Sequence, residues 1–457
     1  MIRARCSVLS LFILTILLEL SDGKQRKYSE PAFVASLPQA IVSLDRRMHD
    51  QIPKDQRLML VAQAFRPAAP VDVVELFAGR EAQRQEVVTA VSQIGYHVAL
   101  YGERGVGKTS LAKILAVIYD NPEVFQLQTA MVNCNTDDTF ESLWAGIFKR
   151  LRREIDDFTP EGVRFEIEQL DPPALIVIDE LDRLEDNEAL TLLADTIKTL
   201  SDHAVPSTIV LVGVANSIEE LIGEHQSILR NLAQVEMPRM RPDELRGILV
   251  KGCAHAGIEI ATEAMRRIVA LSEGLPHYTH LLGFRSSERA VQNDRLIVDL
   301  EDVEAALPKA IKGHTMQSDY ILAIRSPQPQ NLYREVLLAC AVAPKNELGY
   351  FTSGQVRDPL EVIAGRRIEI PQFSKHLKEF VGPERGSILQ RVGKERKYSY
   401  RFSDPMTQPY VIMSSLSQGL IDAEQLNRLL AKPPEENPPE RPEELPTPES
   451  SAQGELF

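Results

Sequence analysis

The 457-residue chain has little cysteine, a single tryptophan and no surplus of positive charge. Its four cysteines, Cys6, Cys134, Cys253 and Cys340, are scattered and form no C-x-x-C pair. That excludes a disulfide-stapled scaffold. It suits a reducing compartment, with the last three expected to be ordinary buried thiols. The formal net charge of −14 excludes a generally basic nucleic-acid binder. The deficit is uneven, because residues 432–457 hold seven Glu against one Lys and one Arg, so a local basic face can survive elsewhere. No internal repeat is visible, which excludes a solenoid. No apolar run reaches the roughly 20 residues of a spanning helix. What remains is an ordinary globular composition, 44% hydrophobic and 25% charged, long enough for two or three domains.

Two motifs carry legible chemistry. Gly102-Glu103-Arg104-Gly105-Val106-Gly107-Lys108-Thr109 is a complete phosphate-binding loop, G-x-x-x-x-G-K-[ST]. Glycines let backbone N–H groups turn inward around phosphates, where a side chain would obstruct them. Lys108 can reach the β- and γ-phosphates of a nucleotide such as ATP, and the Thr109 hydroxyl can ligate Mg²⁺. An apolar stretch, residues 97–101, enters the loop as a buried strand. A helix leaves it at Ser110, its positive dipole end toward the anion. The second motif is Ala174-Leu175-Ile176-Val177-Ile178-Asp179-Glu180. It reads as a central parallel strand, and its carboxyl end is where an open α/β sheet presents ligand-binding residues. Asp179 is placed to hold Mg²⁺ and Glu180 to polarise an attacking water.

The order of elements divides the chain. Residues 1–30 form a hydrophobic extension and 31–73 a helix-prone segment with several prolines. From residue 74 to 241 strands and helices alternate, which indicates an α/β fold with a parallel sheet. Within it, residues 76–81 open a helix that runs to Ala90, 129–133 form a strand, 140–151 a helix, 208–212 a strand and 234–237 a short last strand. Residues 242–326 form a helical lid, with helices expected over 242–254, 262–272, 277–291 and 300–310. Pro327-Gln328-Pro329-Gln330 reads as a hinge. Helices over 332–343, 353–363 and 371–381 then precede a β-hairpin whose strands are 387–390 and 398–402. Three helices followed by a hairpin is the chain order of a winged helix, assigned to residues 327–412. Residues 413–457 are a helix and an acidic, Pro/Glu-rich tail expected to be disordered.

From residues 76 to 409 this order resembles the AAA+ ATPases, and within them the origin-recognition and archaeal replication-initiator group. Many bacterial stand-alone ATPases share that group's domain. The resemblance implies a P-loop ATPase core, a helical lid and a C-terminal winged helix, with Mg-ATP as ligand and substrate. It implies nucleotide contacts from Gly102, Gly105, Val106, Gly107, Lys108, Thr109 and Ser110, with His277 from the lid. Metal contacts would come from Thr109 and Asp179. Glu180 would serve as catalytic base, with Asn216 as the polar sensor that orients water. Arg230 falls where the family carries an arginine finger acting on a neighbouring subunit, which implies a homo-oligomer or a partner ATPase; Arg239 and Arg241 compete for that role. The family's lid offers an arginine to the γ-phosphate after a Gly-x-Pro turn. Here Gly274-Leu275-Pro276 is followed by His277, so coupling of lid to nucleotide is expected to be weaker or carried by Arg285. Gly79-Arg80-Glu81 resembles the segment beside the base, with Val73 and Phe77 as apolar contacts. The winged helix implies double-stranded DNA as partner. Its recognition helix carries Lys375, His376 and Lys378, and its wing region carries Arg391, Lys394, Arg396, Lys397 and Arg401.

The amino terminus fits this picture poorly. Arg3 and Arg5 precede an apolar stretch, roughly residues 8–18, that resembles a signal-peptide core without an A-x-A cleavage site. A secreted ATPase would lack ATP. The readings are a membrane anchor with a cytoplasmic body, a signal sequence, or residues translated upstream of the true start. The last, with a cytoplasmic protein, is preferred because Met48 and Met59 lie near the start of the recognisable domain.

Overall fold

The computed structural model describes residues 52–430, apart from 122–126, 216, 223–225, 327, 329–330, 347 and 394–396. The apolar amino-terminal stretch, the hinge prolines Pro327 and Pro329 and the acidic tail lie outside the described residues. Helix α1 (Lys54–Ala64) ends at Phe65, whose ring is fully buried. Arg57 on its inner face is also buried, and it donates to the carbonyls of Ala256 and Gly257.

Residues 76–81 do not open a helix. Residues Val74–Leu76 make a single 3₁₀ turn, and Gly79 and Arg80 then take left-handed backbone with φ of 71° and 66°. Helix α2 therefore begins only at the next residue (Glu81–Val91). The turn is closely packed, since a Cβ on Gly79 would meet Glu244 and Met240 at 2.8 Å. Strand β1 (His97–Gly102) leads into the phosphate loop, and α3 (Lys108–Tyr119) leaves it. Then come β2 (Gln128–Asn133), α4 (Phe140–Arg150) and α5 (Pro160–Glu168). Thr139 and Thr159 cap the two helices through their hydroxyls, and Pro160 presets the first turn of α5. Strand β3 (Ala174–Asp179) is buried at all of its residues, as an apolar run between two helical layers must be. Helix α6 (Asn187–Asp202) is capped by Asp186 and followed by β4 (Thr208–Val214), α7 (Ile218–Ile222) and β5 (Leu232–Glu236).

The five strands form one parallel sheet in the order β2-β3-β4-β1-β5. Strand β4 thus stands between the strand that carries the loop and the strand that carries Asp179. Tyr101 of β1 lies opposite Gly213 of β4, and Ile178 of β3 lies opposite Leu211. This register brings Gly102, Asp179 and Gly213 to one carboxyl edge.

The lid is α8 (Pro242–His255), α9 (Thr262–Ser272), α10 (Pro276–Gln292) and α11 (Leu300–Ile311). Two short parallel strands, β6 (Glu259–Ile260) and β7 (Ile297–Val298), link it internally. Helix α1 packs on α8 and α10 and so belongs to the lid in space. Phe65 seats it, its ring lying over two glycines, Gly252 and Gly283.

The C-terminal unit begins with α12 (Gln317–Ile324) and α13 (Tyr333–Val342). Strand β8 (Phe351–Thr352), α14 (Ser353–Ala364) and α15 (Ile370–Val381) follow. Strands β9 (Leu389–Val392) and β10 (Ser399–Phe402) make the hairpin, and β8 joins its β10 edge in an antiparallel sheet of order β8-β10-β9. Helices α16 (Thr407–Ser417) and α17 (Ala423–Leu430) close the described chain. On β10, Tyr400 and Phe402 are buried as the alternation requires. Cys134, Cys253 and Cys340 are buried free thiols. Among the described residues no helix is long and apolar enough to cross a membrane.

The seat of Phe65 gives a stability test. A Cβ on Gly283 would lie 2.7 Å from the Phe65 ring. Gly283→Ala is expected to cost about 1–3 kcal/mol by forcing the ring aside. Thermal unfolding measures it, and an unchanged melting temperature would mean that Phe65 is not wedged there.

Candidate functional site

The phosphate loop bends as its glycines allow. Gly102, Gly105 and Gly107 all have positive φ, at 151°, 85° and 98°. At Gly102 the space is also closed, since a Cβ would lie 2.4 Å from the Met237 carbonyl oxygen. Gly107 ends the loop as the N-cap of α3, leaving the helix's first N–H groups directed at the cleft. Lys108 is 8% exposed and folds back over the loop, donating to the carbonyls of Gly102 at 2.9 Å and Glu103 at 2.8 Å. Burial pulls its ammonium down to about 8, against the opposing pull of Asp182 and Asp179.

Asp179, at the end of β3, is 2% exposed. One of its oxygens accepts the Glu180 N–H at 2.8 Å, and the other, Oδ2, has no partner. Burial raises its pKa, partly offset by the Thr109 hydroxyl and the Glu180 N–H. A desolvated carboxylate oxygen without a donor is a fit for a hard cation, and the nearby hydroxyl of Thr109 supplies a second oxygen. Glu180 takes a left-handed backbone (φ 57°) that turns its side chain out of the strand. Its carboxylate pairs with Arg183 at 3.0 Å.

Around these residues lies a cleft of about 800 Å³. The phosphate loop through Ser110, Asp179, Glu180 and the end of β4 line one side. The lid contributes Pro276, His277 and His280, and residues 66–71 cross another wall. Val71 N–H donates to the Ser110 hydroxyl at 3.1 Å, which ties that wall to α3. Phe77 lines the cleft, whereas Val73 is not among its lining residues.

Other residues depart from the expectations. His277 lines the cleft, but its Nε2 lies 3.2 Å from Nε2 of His314, and burial lowers its pKa. The Pro67 backbone is a further partner of its ring. Arg285 pairs with Glu288 and is not among the residues that line the cleft. His280 is buried and its pKa is pulled down to about 4 by desolvation. Among the described residues no cluster of His, Cys, Asp or Glu could hold a metal by itself. Arg230 is 72% exposed and meets Asp202 only at 4.0 Å, away from the cleft of its own chain. Of its competitors, Arg241 is exposed and pairs with Asp243, and Arg239 is engaged within the same chain by Glu103 at 2.8 Å. His376 does not join a basic stripe. It is buried, its Nε2 lies 3.1 Å from the Asn331 side chain, and burial lowers its pKa. On the same helix Lys375 pairs with Glu379 at 3.6 Å, and Lys378 is exposed. In the hairpin Arg391 lies over the Tyr398 ring, Arg401 donates to Gln390, and Lys397 is exposed. Asn216, Lys394 and Arg396 lie outside the described residues.

One cleft residue escaped sequence reasoning, and a second was placed without its partner. Asp182 accepts the Val214 N–H at 2.7 Å and so locks the turn after β3 to the end of β4. Its signal was the D-E-x-D spacing from Asp179. Arg80 is buried, donates to the Val106 carbonyl at 2.8 Å, and is pulled down to about 10 by desolvation. Its segment, Gly79-Arg80-Glu81, was expected beside the base, but its partner lies in a distant loop that no local pattern reveals.

A phosphate loop between a parallel strand and a helix, facing a buried acid across one intervening strand, defines a P-loop α/β domain. Residues 94–222 match the family described as AAA domain. The chain thus carries an AAA domain. No curated protein matches it. Among solved structures it is similar to Cdc6p from Pyrobaculum aerophilum, with 16% identity, 79% of this chain and 99% of that one covered, and a TM-score of 0.44. The Aeropyrum pernix ORC1 protein in complex with DNA gives 15% identity, 80% and 97% coverage, and 0.44. A RuvB from Thermotoga maritima gives 16% identity, 72% and 94% coverage, and 0.41.

The Lys108 environment predicts a pH dependence. Phosphate requires the ammonium form, which persists below about 8 in the empty protein. Binding of a nucleotide anion then takes up a proton above that pH. Affinity should hold steady from pH 7 to about 8 and then fall, approaching tenfold per unit. Lys108→Ala should abolish binding at every pH. Titration of ADP by calorimetry across pH 7–9.5 checks both, and a flat profile would remove Lys108 from the phosphate site.

Proposed function

We propose that this chain binds and hydrolyses Mg-ATP in the cleft and uses nucleotide state to control conformation or assembly. The observation that carries this reading is the unpartnered, buried Oδ2 of Asp179 beside the phosphate loop. Thr109 and Asp179 would hold Mg²⁺, which would neutralise charge on the phosphate oxygens. The inward N–H groups of Gly105, Val106, Gly107, Thr109 and Ser110, with Lys108, would hold the phosphates themselves. Glu180 would leave Arg183 and accept the proton of the attacking water. Asn216 would orient that water, and His277 would leave His314 to donate from the lid. Arg230, exposed and unconstrained by the cleft, suits a finger supplied to a neighbouring copy, so the active form would be an assembly.

The order and pairing of α13, β8, α14, α15, β9 and β10 support reading the C-terminal unit as a winged helix that engages double-stranded DNA. Lys375 and Lys378 on α15 would face the major groove, with Lys394, Arg396 and Lys397 along the backbone. A second reading, a nucleotide-gated signalling or defence switch whose C-terminal unit binds a protein partner, is favoured by one feature: that unit packs on the phosphate loop itself.

Glu180→Gln should bind ATP like the wild type and lose turnover, because an amide cannot take the proton. Wild-type turnover in this variant would exclude Glu180 as the base. For DNA, replacing Lys394, Arg396 and Lys397 with Ala should weaken binding on all sequences alike. It should also flatten the salt dependence by up to about 0.9 per lost phosphate contact. Absence of salt-dependent DNA binding by the wild type would leave the switch reading.

A further inference from the structure

The outer side of the phosphate loop is covered by the chain's own C-terminal unit. Arg104, in the loop, pairs with Asp404 at 2.9 Å. Met406 presses on Gly105, where a Cβ would lie 2.4 Å from its Sδ. The Met406 carbonyl in turn accepts the buried Tyr278 hydroxyl of the lid. Glu103 holds Arg239 at 2.8 Å, and Arg239 donates on to the Glu273 carbonyl at 3.2 Å and the Gln408 side chain at 3.1 Å. Gln408 donates to the Glu273 carboxylate at 2.7 Å and to the Ala341 carbonyl at 3.1 Å. Residues 404–408 thus join loop, lid and C-terminal unit at one place.

Two of these contacts are asymmetric with respect to the cleft. Met406 is not among the cleft-lining residues, so it backs the loop from outside and leaves the phosphate side open. Arg104 does line the cleft, and its side chain is 63% exposed. Its guanidinium therefore lies between two possible anions, the Asp404 carboxylate and a phosphate in the loop.

We propose that residues 404–408 are a latch that seats the C-terminal unit on the phosphate loop, and that nucleotide phosphates compete with Asp404 for Arg104. The proposal rests on the reading of residues 102–109 as a phosphate site. Nucleotide entry draws Arg104 toward the cleft and weakens the seat of the C-terminal unit. By linkage, a seated unit weakens nucleotide binding by the same factor. The direction of coupling follows from charge: both partners of Arg104 are anions, and one guanidinium offers limited bidentate geometry. Its size is bounded by the exposure of the pair, which holds the effect to at most about fivefold. Met406 and the Arg239–Gln408–Glu273 bonds maintain the rest of the seat, so nucleotide loosens it rather than ejecting the unit.

Asp404→Asn tests this with little local damage, because the asparagine oxygen can still accept the Met406 N–H that Asp404 now holds at 2.8 Å. The full chain is titrated with ADP and with a non-hydrolysable ATP analogue, and hydrogen exchange is followed over residues 407–417. The variant should bind both nucleotides more tightly than the wild type, by up to about fivefold. In the empty variant the 407–417 amides should exchange faster, toward the rate that nucleotide produces in the wild type. Met406→Ala should speed the same exchange. Unchanged or weaker affinity in Asp404→Asn overturns the competition, and unchanged exchange in both variants overturns the latch. If neither wild type nor variant binds nucleotide, the phosphate-loop reading fails and the competition falls with it, while the exchange measurement still decides the seat.

Discussion

The architecture turns on one constraint: a lysine and an aspartate must meet at the carboxyl edge of a parallel sheet without touching the same strand. Strand β4 sits between β1, which leads into the loop before Lys108, and β3, which ends at Asp179. Lys108 is pulled down by burial and held up by Asp179 and Asp182, while Asp179 is pushed up by burial and held down partly by Lys108. Each charge offsets part of the other's burial cost, together with Asp182 for Lys108 and the Thr109 hydroxyl and Glu180 N–H for Asp179. The turn after β3 keeps that balance fixed, since Asp182 binds the Val214 N–H at the end of the intervening strand.

The lid and the C-terminal unit extend the same junction outward. Helix α1, far from the lid in the chain, is drawn to it by Phe65 over Gly252 and Gly283 and by Arg57 at the carbonyls that end α8. The residues that follow α1 then form a wall of the cleft. On the opposite flank, Arg239 leaves β5 and collects Glu103, Glu273 and Gln408, one partner from each of three units. A residue with three such partners is poorly placed to serve a neighbouring chain. That leaves Arg230 and Arg241, both exposed, as the candidates for an intersubunit role.

The C-terminal unit reads differently as a folded object than as a string of charges. Of the basic residues along α15, His376 packs against Tyr333 with ring centroids 4.6 Å apart, and Lys375 is drawn to Glu379. A helix that must bury one face cannot present every basic residue outward. Along α15 and the hairpin His376 is thus lost to the core, while Lys375, Lys378, Arg391 and Lys397 stay exposed.

The sequence by itself determined the nucleotide motifs and most of the sheet and lid, because those features are local. A glycine-rich loop, an apolar run ending in two acids, and helices with strong caps or periodic apolar faces each declare themselves within a dozen residues. Several pieces did not, α6 among them despite its length and its Asp186 cap. Strand β8 has two residues, α5 is one short amphipathic stretch, and the turn at Gly79 and Arg80 masquerades as a helix start. Tertiary structure alone decided what depends on distant partners. It placed Arg80 against Val106, paired His277 with His314, committed Arg239 to Glu103 and pressed Met406 onto Gly105. Those pairs are separated by 26 to 301 residues, and no local pattern encodes a meeting that only the packing of separate units brings about.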